Sequence, residues 1–120
     1  MNYTKGEWTI DPNWQSGDYQ DRTGYAIYIQ RKHEQHLICD LIHTVDIENQ
    51  EANARLITAA VNACASVNPD NPMAVAESIK DMYEALKVAL NETPGFMLGE
   101  DVKQLMKQAL AKAEGRELLK

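Results

Sequence analysis

The sequence lacks any concentration of positive charge, and it has no long hydrophobic run. Twelve Lys and Arg residues stand against eighteen Asp and Glu residues, which gives a formal net charge of -6 at pH 7. Proteins that bind duplex nucleic acid need clustered basic side chains to neutralise phosphates, so this class is disfavoured. No apolar run approaches the roughly 18 residues of a membrane span, and no apolar leader follows the first residue. We therefore expect a cytoplasmic protein that contacts neither duplex nucleic acid nor a membrane.

Cysteines and catalytic signatures are also scarce. Cys39 and Cys64 are the two cysteines; their spacing matches no zinc pattern, and a reducing cytosol would keep them as free thiols. The chain has no glycine-rich phosphate loop, no G-x-S-x-G and no H-E-x-x-H. Strict alternation would place His36 and Asp40 on one strand face, but about 13 Å apart, which is too far for one metal ion. We expect no metal site, no cofactor and no catalysis.

Length and hydrophobic patterning predict a single domain over residues 1–120. The length suits one domain, and the hydrophobic content of 44% is ordinary for a globular protein. Residues 1–45 have a strand-rich pattern, residues 46–115 a helical one, and residues 116–120 form a short tail. Strands followed by helices are typical of an α+β fold. The expected architecture is a small antiparallel sheet of about three strands followed by three helices packed on it.

Alternation of apolar and polar residues places the strands. Residues 7–11 form a short first strand, which Pro12 would end because proline has no backbone donor. Residues 25–30 show the clearest alternation in the chain and predict the second strand. Residues 31–34 suit a hairpin turn, and residues 37–42 predict a third strand with apolar side chains on both faces.

A polar, turn-rich segment connects the first two predicted strands and is a candidate binding loop. Exposed aromatic side chains close to an arginine make good anchors for a protein or a base-bearing small molecule. The alternative is that the aromatic side chains fold back and close one end of the core, and the sequence leaves the two about even. The candidate contact residues of this loop are Trp14, Asp18, Tyr19, Gln20 and Arg22.

The first and longest helix signal runs from Gln50 to Val67. Asp46 or Asn49 is placed to cap it by accepting a hydrogen bond from a free backbone N–H. Ala52, Ala59 and Ala63 form a strip of small residues that would let another helix approach closely. A 3.6-residue spacing predicts an inward-facing apolar stripe, which consists of Leu56, Ile57, Ala60, Val61, Cys64 and Val67.

Two more helices are predicted after a proline-rich break. The second runs from Pro72 to about residue 91, with Asn71 as its N-terminal cap. The third runs over roughly residues 100–114, and Gly115 is a typical helix stop. Its predicted inward face consists of Val102, Leu105, Met106, Ala109, Leu110 and Ala113.

Two short segments carry a resemblance to a known group of proteins. Residues 51–60 read E-A-N-A-R-L-I-T-A-A, and residues 4–8 read T-K-G-E-W. The chain resembles small proteins of tailed bacteriophages and prophages that share an E-A-N-A-R-L-I-A-A-A helix and a T-x-G-x-W start. Residues 61–64 resemble a common continuation, but many members then read P-E-L-L-E-A-L, whereas here the next proline is Pro69. The resemblance covers the first two-thirds of the chain and implies a phage origin and a fold, but no catalytic residues.

Polar residues within the first helix are harder to explain by packing. Asparagine is a mediocre helix former, so Asn53 and Asn62 are favoured as structural clamps that hydrogen-bond a neighbouring strand or loop. The alternative is that Asn53 and Arg55 contact a ligand or partner.

These observations predict a phage-encoded, non-catalytic accessory protein that acts by binding in the host bacterial cytoplasm. Counter-defence is the expected niche, with a host protein or a small nucleotide-type molecule as the partner. A second hypothesis is an oligomeric structural or assembly factor, and a homo-oligomer is expected in either case. A third, of low weight, is a small hydrolase that uses Cys64 or a histidine, although Cys64 lies on an apolar stripe where a thiol is inert.

Overall fold

The computed structural model describes residues 3–15, 23–41 and 47–116. These residues form a three-stranded antiparallel sheet followed by three α-helices, which confirms the predicted α+β fold. They divide into two compact units, Met1–Ala76 and Glu77–Lys120, while the single-domain assignment stays a prediction. The elements are β1 (Thr9–Gln15), β2 (Thr23–Arg31), β3 (Glu34–Asp40), α1 (Ile47–Val67), α2 (Pro72–Glu92), a 3-10 turn (Gly95–Met97) and α3 (Glu100–Ala113).

Strand β1 is longer than the sequence pattern predicts, because Pro12 does not end it. The described strands are ordered β1-β2-β3, so β1 lies at an edge of their sheet. Its register with β2 shifts between Asp11 and Trp14, and the Asp11 carboxylate accepts a hydrogen bond of 2.9 Å from the Asn13 N–H. Proline is tolerated at edge strands and bulges, where its missing donor breaks no ladder bond. The strand therefore forms a bulge between Asp11 and Trp14, which includes Pro12, and continues to Gln15.

A second irregularity, in β3, reverses the expected alternation. The predicted hairpin is confirmed, since β2 and β3 pair antiparallel. Leu37 pairs with Tyr28 and Cys39 with Ile27, so Ile38 is an extra residue on β3. Beyond an extra residue, the side chains change faces relative to strict alternation.

The same bulge separates His36 from Asp40. His36 pairs with Ile29 and Asp40 with Ala26, which are residues of opposite parity on β2. Since paired residues on antiparallel strands share a face, His36 and Asp40 point to opposite sides of the sheet. The prediction that His36 and Asp40 share one face of the strand is therefore wrong.

Helix α1 packs on β1 and β2 through a face that includes only part of the predicted stripe: Ile57 packs against the core cluster, Val61 is half-buried and Cys64 is buried. The central cluster joins Ile27 and Leu41 to Ala54, which is completely buried. Leu56 is 70% exposed, so its predicted inward position is wrong, and Ala60 and Val67 are exposed as well. At about 100° per residue, Leu56 lies roughly 200° around the helix from Ala54. The small side chain of Ala54 faces the sheet and lets the helix approach closely, which leaves Leu56 on the far side.

A buried amide anchors the first turns of α1. Gln50 is 4% exposed, and its Oε1 accepts a hydrogen bond of 3.2 Å from the Tyr25 N–H. Helix α1 begins at Ile47, so Asn49 lies inside it and is not its cap. The other proposed cap, Asp46, lies outside the described residues.

The break between α1 and α2 follows the prediction. Helix α2 begins at Pro72, and the Ala74 N–H approaches Asn71 Oδ1 at 3.3 Å. Asn71 therefore occupies the predicted N-cap position, with proline in the first turn where its missing donor has no helical partner.

The second unit, from Glu77 onward, ends in a well-formed helix stop. Gly115 has a φ of +68°, and its N–H donates to the Lys112 carbonyl at 3.2 Å. The Arg116 N–H donates to the Ala111 carbonyl at 2.8 Å. This is the Schellman arrangement, which favours glycine at the left-handed position, and it confirms the predicted stop. The Arg116 guanidinium also bonds the Glu114 carboxylate at 3.0 Å and holds the pKa of Glu114 below its usual range.

The apolar face predicted for α3 is only partly inward. Leu110 and Ala111 are buried and Met106 is half-buried. Val102 is 49% exposed and Leu105 is 65% exposed. The prediction therefore fails for part of the face, because the buried side of α3 is centred on Leu110 and Ala111, which lie more than 100° around the helix from Leu105. The residues wrongly predicted to face inward are Val102, Leu105, Ala109 and Ala113.

Candidate binding surface

The segment before β1 is held by a side-chain amide of α1. The Trp8 N–H donates to Asn62 Oδ1 at 3.0 Å, and Asn62 Nδ2 donates to the Trp8 carbonyl at 2.9 Å. A carboxamide carries one acceptor and one donor side by side, as a peptide unit of a neighbouring strand would. The predicted role of Asn62 as a structural clamp is confirmed.

Further polar contacts tie the segment of residues 3–8 to the turn between α1 and α2. The Tyr3 hydroxyl donates to the Pro69 carbonyl at 2.8 Å, and the Lys5 ammonium lies 3.7 Å from the Asp70 carboxylate. The ion pair is exposed and weak, so the hydrogen bond is the firmer tether. Together these contacts position the aromatic side chains at both ends of the segment.

Gly6 lets this segment turn between Tyr3 and Trp8. Its φ is +120°, a conformation that L-residues with a side chain rarely adopt. A Cβ at this position would meet the Ile29 side chain at 3.9 Å, an ordinary contact distance. The requirement for glycine therefore comes from the backbone and not from lack of space.

An apolar groove lies between this segment, α1 and the first turns of α2. Its volume is about 240 Å³, and none of its described lining residues is charged. Cys64 and Pro72 are buried, whereas Ala60, Met73 and Ala76 are exposed. The groove is thus a surface feature that an apolar group can enter from solvent. The lining residues are Tyr3, Trp8, Ala60, Val61, Cys64, Pro72, Met73 and Ala76.

The groove offers little support for the hydrolase hypothesis. Cys64 is 7% exposed, and no histidine, aspartate or glutamate occurs among the described residues that line the groove beside it. A nucleophilic thiol needs a neighbouring base or positive charge. Across the described ranges, no three His, Cys, Asp or Glu side chains gather closely enough to hold a metal ion.

The structure describes one of the five candidate contact residues of the predicted binding loop. Trp14 is half-buried and lies in β1, where it pairs with Gly24, so its placement in a loop is wrong. Its side chain does not line the groove. The other predicted contact residues of this segment, Asp18, Tyr19, Gln20 and Arg22, lie outside the described residues.

Asn53 and Arg55, the predicted contact residues of α1, are exposed and lie outside the groove. Arg55 binds Glu51, with 2.8 Å between Nη2 and Oε1, so this arginine serves as an exposed ion-pair partner one turn along the helix. Burial raises the pKa of the Tyr25 hydroxyl; the Glu51 carboxylate raises it further, and Arg55 lowers it. The structure therefore places Arg55 near Glu51 and Tyr25, and not in the groove.

Sequence reasoning missed the groove because its members come from three separated segments. A signal was nevertheless present. The T-x-G-x-W segment supplies Trp8 and the glycine that turns the chain, and the resemblance at residues 61–64 includes Val61, Asn62 and Cys64. These signals show where the chain turns, but they do not identify α1 as the element that the start of the chain contacts.

Comparison of the chain with models of known protein families, with curated proteins and with solved structures finds no match. Among the described residues, no helix is both long enough and apolar enough to cross a membrane.

Proposed function

We propose that this protein acts by binding a protein partner in the apolar groove of its first unit, without a catalytic step. The supporting observation is the groove itself, which is open to solvent and has no charged side chain among its described lining residues. Apolar side chains of a partner gain free energy by leaving water, at about 25 cal/mol per Å² of area buried. Such pockets typically receive an anchoring side chain of a partner.

The lining chemistry favours a protein over a nucleotide-type molecule. Phosphate groups are recognised by Arg, by Lys or by arrays of backbone N–H groups. The basic side chain tied to the turn beside the groove is Lys5, and it pairs with Asp70. A nucleotide is therefore the weaker alternative.

The biological setting that we propose is that of a phage-encoded accessory protein acting in counter-defence. This part rests on the resemblance of residues 4–8 and 51–60 to small proteins of tailed phages and prophages. Under this proposal the partner is a host defence protein in the bacterial cytoplasm, which the phage protein blocks by occupying a functional surface.

Ala60 and Ala59 provide a matched test. Both are exposed alanines of α1, but Ala60 lines the groove and Ala59 does not. Ala59 belongs instead to the alanine strip that an assembly factor would use. The same change, alanine to glutamate, adds one carboxylate at either position.

The experiment immobilises wild type, Ala60→Glu and Ala59→Glu and compares by mass spectrometry what each retains from bacterial lysates. We expect a protein retained by wild type and Ala59→Glu, but weakened more than about 100-fold by Ala60→Glu, since burying an unpaired carboxylate costs several kcal/mol. Loss with Ala59→Glu alone would favour the assembly factor, and retention of a phosphorylated small molecule would favour the nucleotide alternative. Retention of nothing by wild type would contradict the proposal.

A further inference from the structure

Helix α3 carries an apolar stripe on its outer side. Val102 is 49% exposed and Leu105 is 65% exposed, and Ala109 is exposed as well. Spacings of three and four residues place these side chains on one side of a helix. The neighbouring side of the helix is covered, since Met106 is half-buried and Leu110 is buried, and at 100° per residue Met106 lies about 40° around the helix from Val102. Helix α3 therefore has one broad apolar face, and the edge of it that carries Val102, Leu105 and Ala109 faces solvent.

Charges of opposite sign lie at the two ends of this stripe. Asp101 is in the first turn of α3 and Lys112 is in its last turn, and both are exposed. Neither forms an ion pair with another residue in the described part of the chain. At 3.6 residues per turn, both side chains lie on the outer side with Leu105. A shallow hollow lies at the basic end, lined by Leu105, Gln108, Ala109, Lys112 and Arg116.

We propose that this stripe is a self-association surface on which α3 of a second copy lies antiparallel. A two-fold axis near the middle of the helix would set Leu105 of each copy against Ala109 of the other, a large side chain against a small one. That register brings Asp101 of each copy to within about one residue of Lys112 of the other. A parallel arrangement would instead place like charges together at each end.

Charge complementarity selects a second copy as the occupant. The opposite charges at the ends of the stripe match their own antiparallel image, as an isologous contact requires. One pair of 14-residue helices buries less than the roughly 1,600 Å² of a standard interface. The association is therefore weak and depends on protein concentration. The proposed contact uses none of the residues that line the groove in the first unit.

Sedimentation velocity over a concentration series measures this association. We expect wild type to shift from monomer toward dimer as concentration rises, and Leu105→Glu to remain monomeric. Leu56→Glu is the matched control, because Leu56 is 70% exposed on α1 and lies outside the stripe. Circular dichroism checks that each variant retains its helices.

A charge-swap experiment tests the antiparallel register. Asp101→Lys alone and Lys112→Asp alone each place like charges together across the dimer, so each should raise the dimer dissociation constant at least tenfold. An equimolar mixture of these two variants restores both ion pairs in a heterodimer and should associate as wild type does. Any of four results would overturn the proposal: monomeric wild type throughout the series, dimeric Leu105→Glu, equal loss with Leu56→Glu, or no recovery in the mixture.

Discussion

Asn62 of α1 pairs with the backbone of Trp8 as a neighbouring strand would, accepting from its N–H and donating to its carbonyl. The two residues are 54 positions apart, so the contact closes the first unit between its N-terminal segment and its long helix. A mid-helix asparagine, which is unfavourable for helix propensity, is thereby explained by a tertiary contact that alanine could not make.

Replacing Asn62 should destabilise the first unit. Asn62→Ala removes both partners of the part-buried Trp8 backbone, and we expect a loss of about 2 kcal/mol in the free energy of unfolding. Urea unfolding followed by tryptophan fluorescence measures it, because both tryptophans of the chain lie in this unit. Asn53→Ala is the control: Asn53 is exposed on the same helix, and alanine should leave stability unchanged or slightly higher. Equal losses in the two variants would contradict the clamp.

The inner face of α1 predicts opposite outcomes at adjacent positions. Ile57 packs against the core cluster, so Ile57→Glu should cost about 3 kcal/mol or more through lost packing and a carboxylate forced toward apolar surroundings. Leu56 is 70% exposed, so Leu56→Glu should change stability by less than about 0.5 kcal/mol. Parallel urea unfolding of the two variants measures the difference. A larger loss of stability with Leu56→Glu than with Ile57→Glu would contradict this assignment and would mean that Leu56 faces inward, as the sequence pattern predicts.

The sequence predicts the elements of the fold well because local signals determine them. Asn71 before Pro72 marks a helix start, Gly115 marks a helix end, and alternation marks β2. It predicts the irregularities poorly, because they depend on pairing partners. Pro12 is tolerated since β1 lies at the edge of the described sheet, and the bulge at Ile38 is visible only once β3 is aligned with β2.

The helix faces show a second limit of pattern reading. In α1, the side chain that joins the central cluster is the small one of Ala54, so a hydrophobicity criterion selects Leu56 in its place. The groove is harder still to predict, because Tyr3, Trp8 and Met73 meet only through tertiary contacts. A conformational signal such as the glycine of T-x-G-x-W shows where the chain turns but not what it turns toward.

Gly6 gives a prediction that depends on backbone geometry alone. Gly6→Ala forces a side chain onto a residue with φ of +120°, and strain of this kind costs about 1–3 kcal/mol. We expect reduced stability of the first unit and an altered emission of Trp8, since the segment from Tyr3 to Trp8 forms one side of the groove. Urea unfolding and emission spectra measure both effects. Glu7→Ala, at the exposed neighbouring position, should cost less than about 0.5 kcal/mol.

The Cys39 thiol yields a prediction for the pH dependence of its reactivity. Burial raises the pKa of Cys39, and the carboxylate of Asp40 raises it further. Alkylation by iodoacetamide requires the thiolate, so the rate at Cys39 should rise with pH at values above the roughly 8.5 of a free cysteine. Peptide-resolved mass spectrometry separates Cys39 from the buried Cys64. Asp40→Asn removes one of the two causes and should shift the profile toward lower pH.

The same shift of the Cys39 pKa fixes the sign of a stability effect. The folded state keeps its proton to higher pH than the unfolded state, so this contribution to stability is fully present below the unfolded pKa and is lost as pH rises through the folded pKa.

Asp11→Asn is the matched control for Asp40→Asn in the alkylation experiment. Asp11 pairs with Ala26 from the other side of β2 and is not a cause of the pKa shift of Cys39. It should leave the alkylation profile of Cys39 unchanged. Equal shifts in the two variants would mean that net charge, and not the neighbouring carboxylate, controls the thiol.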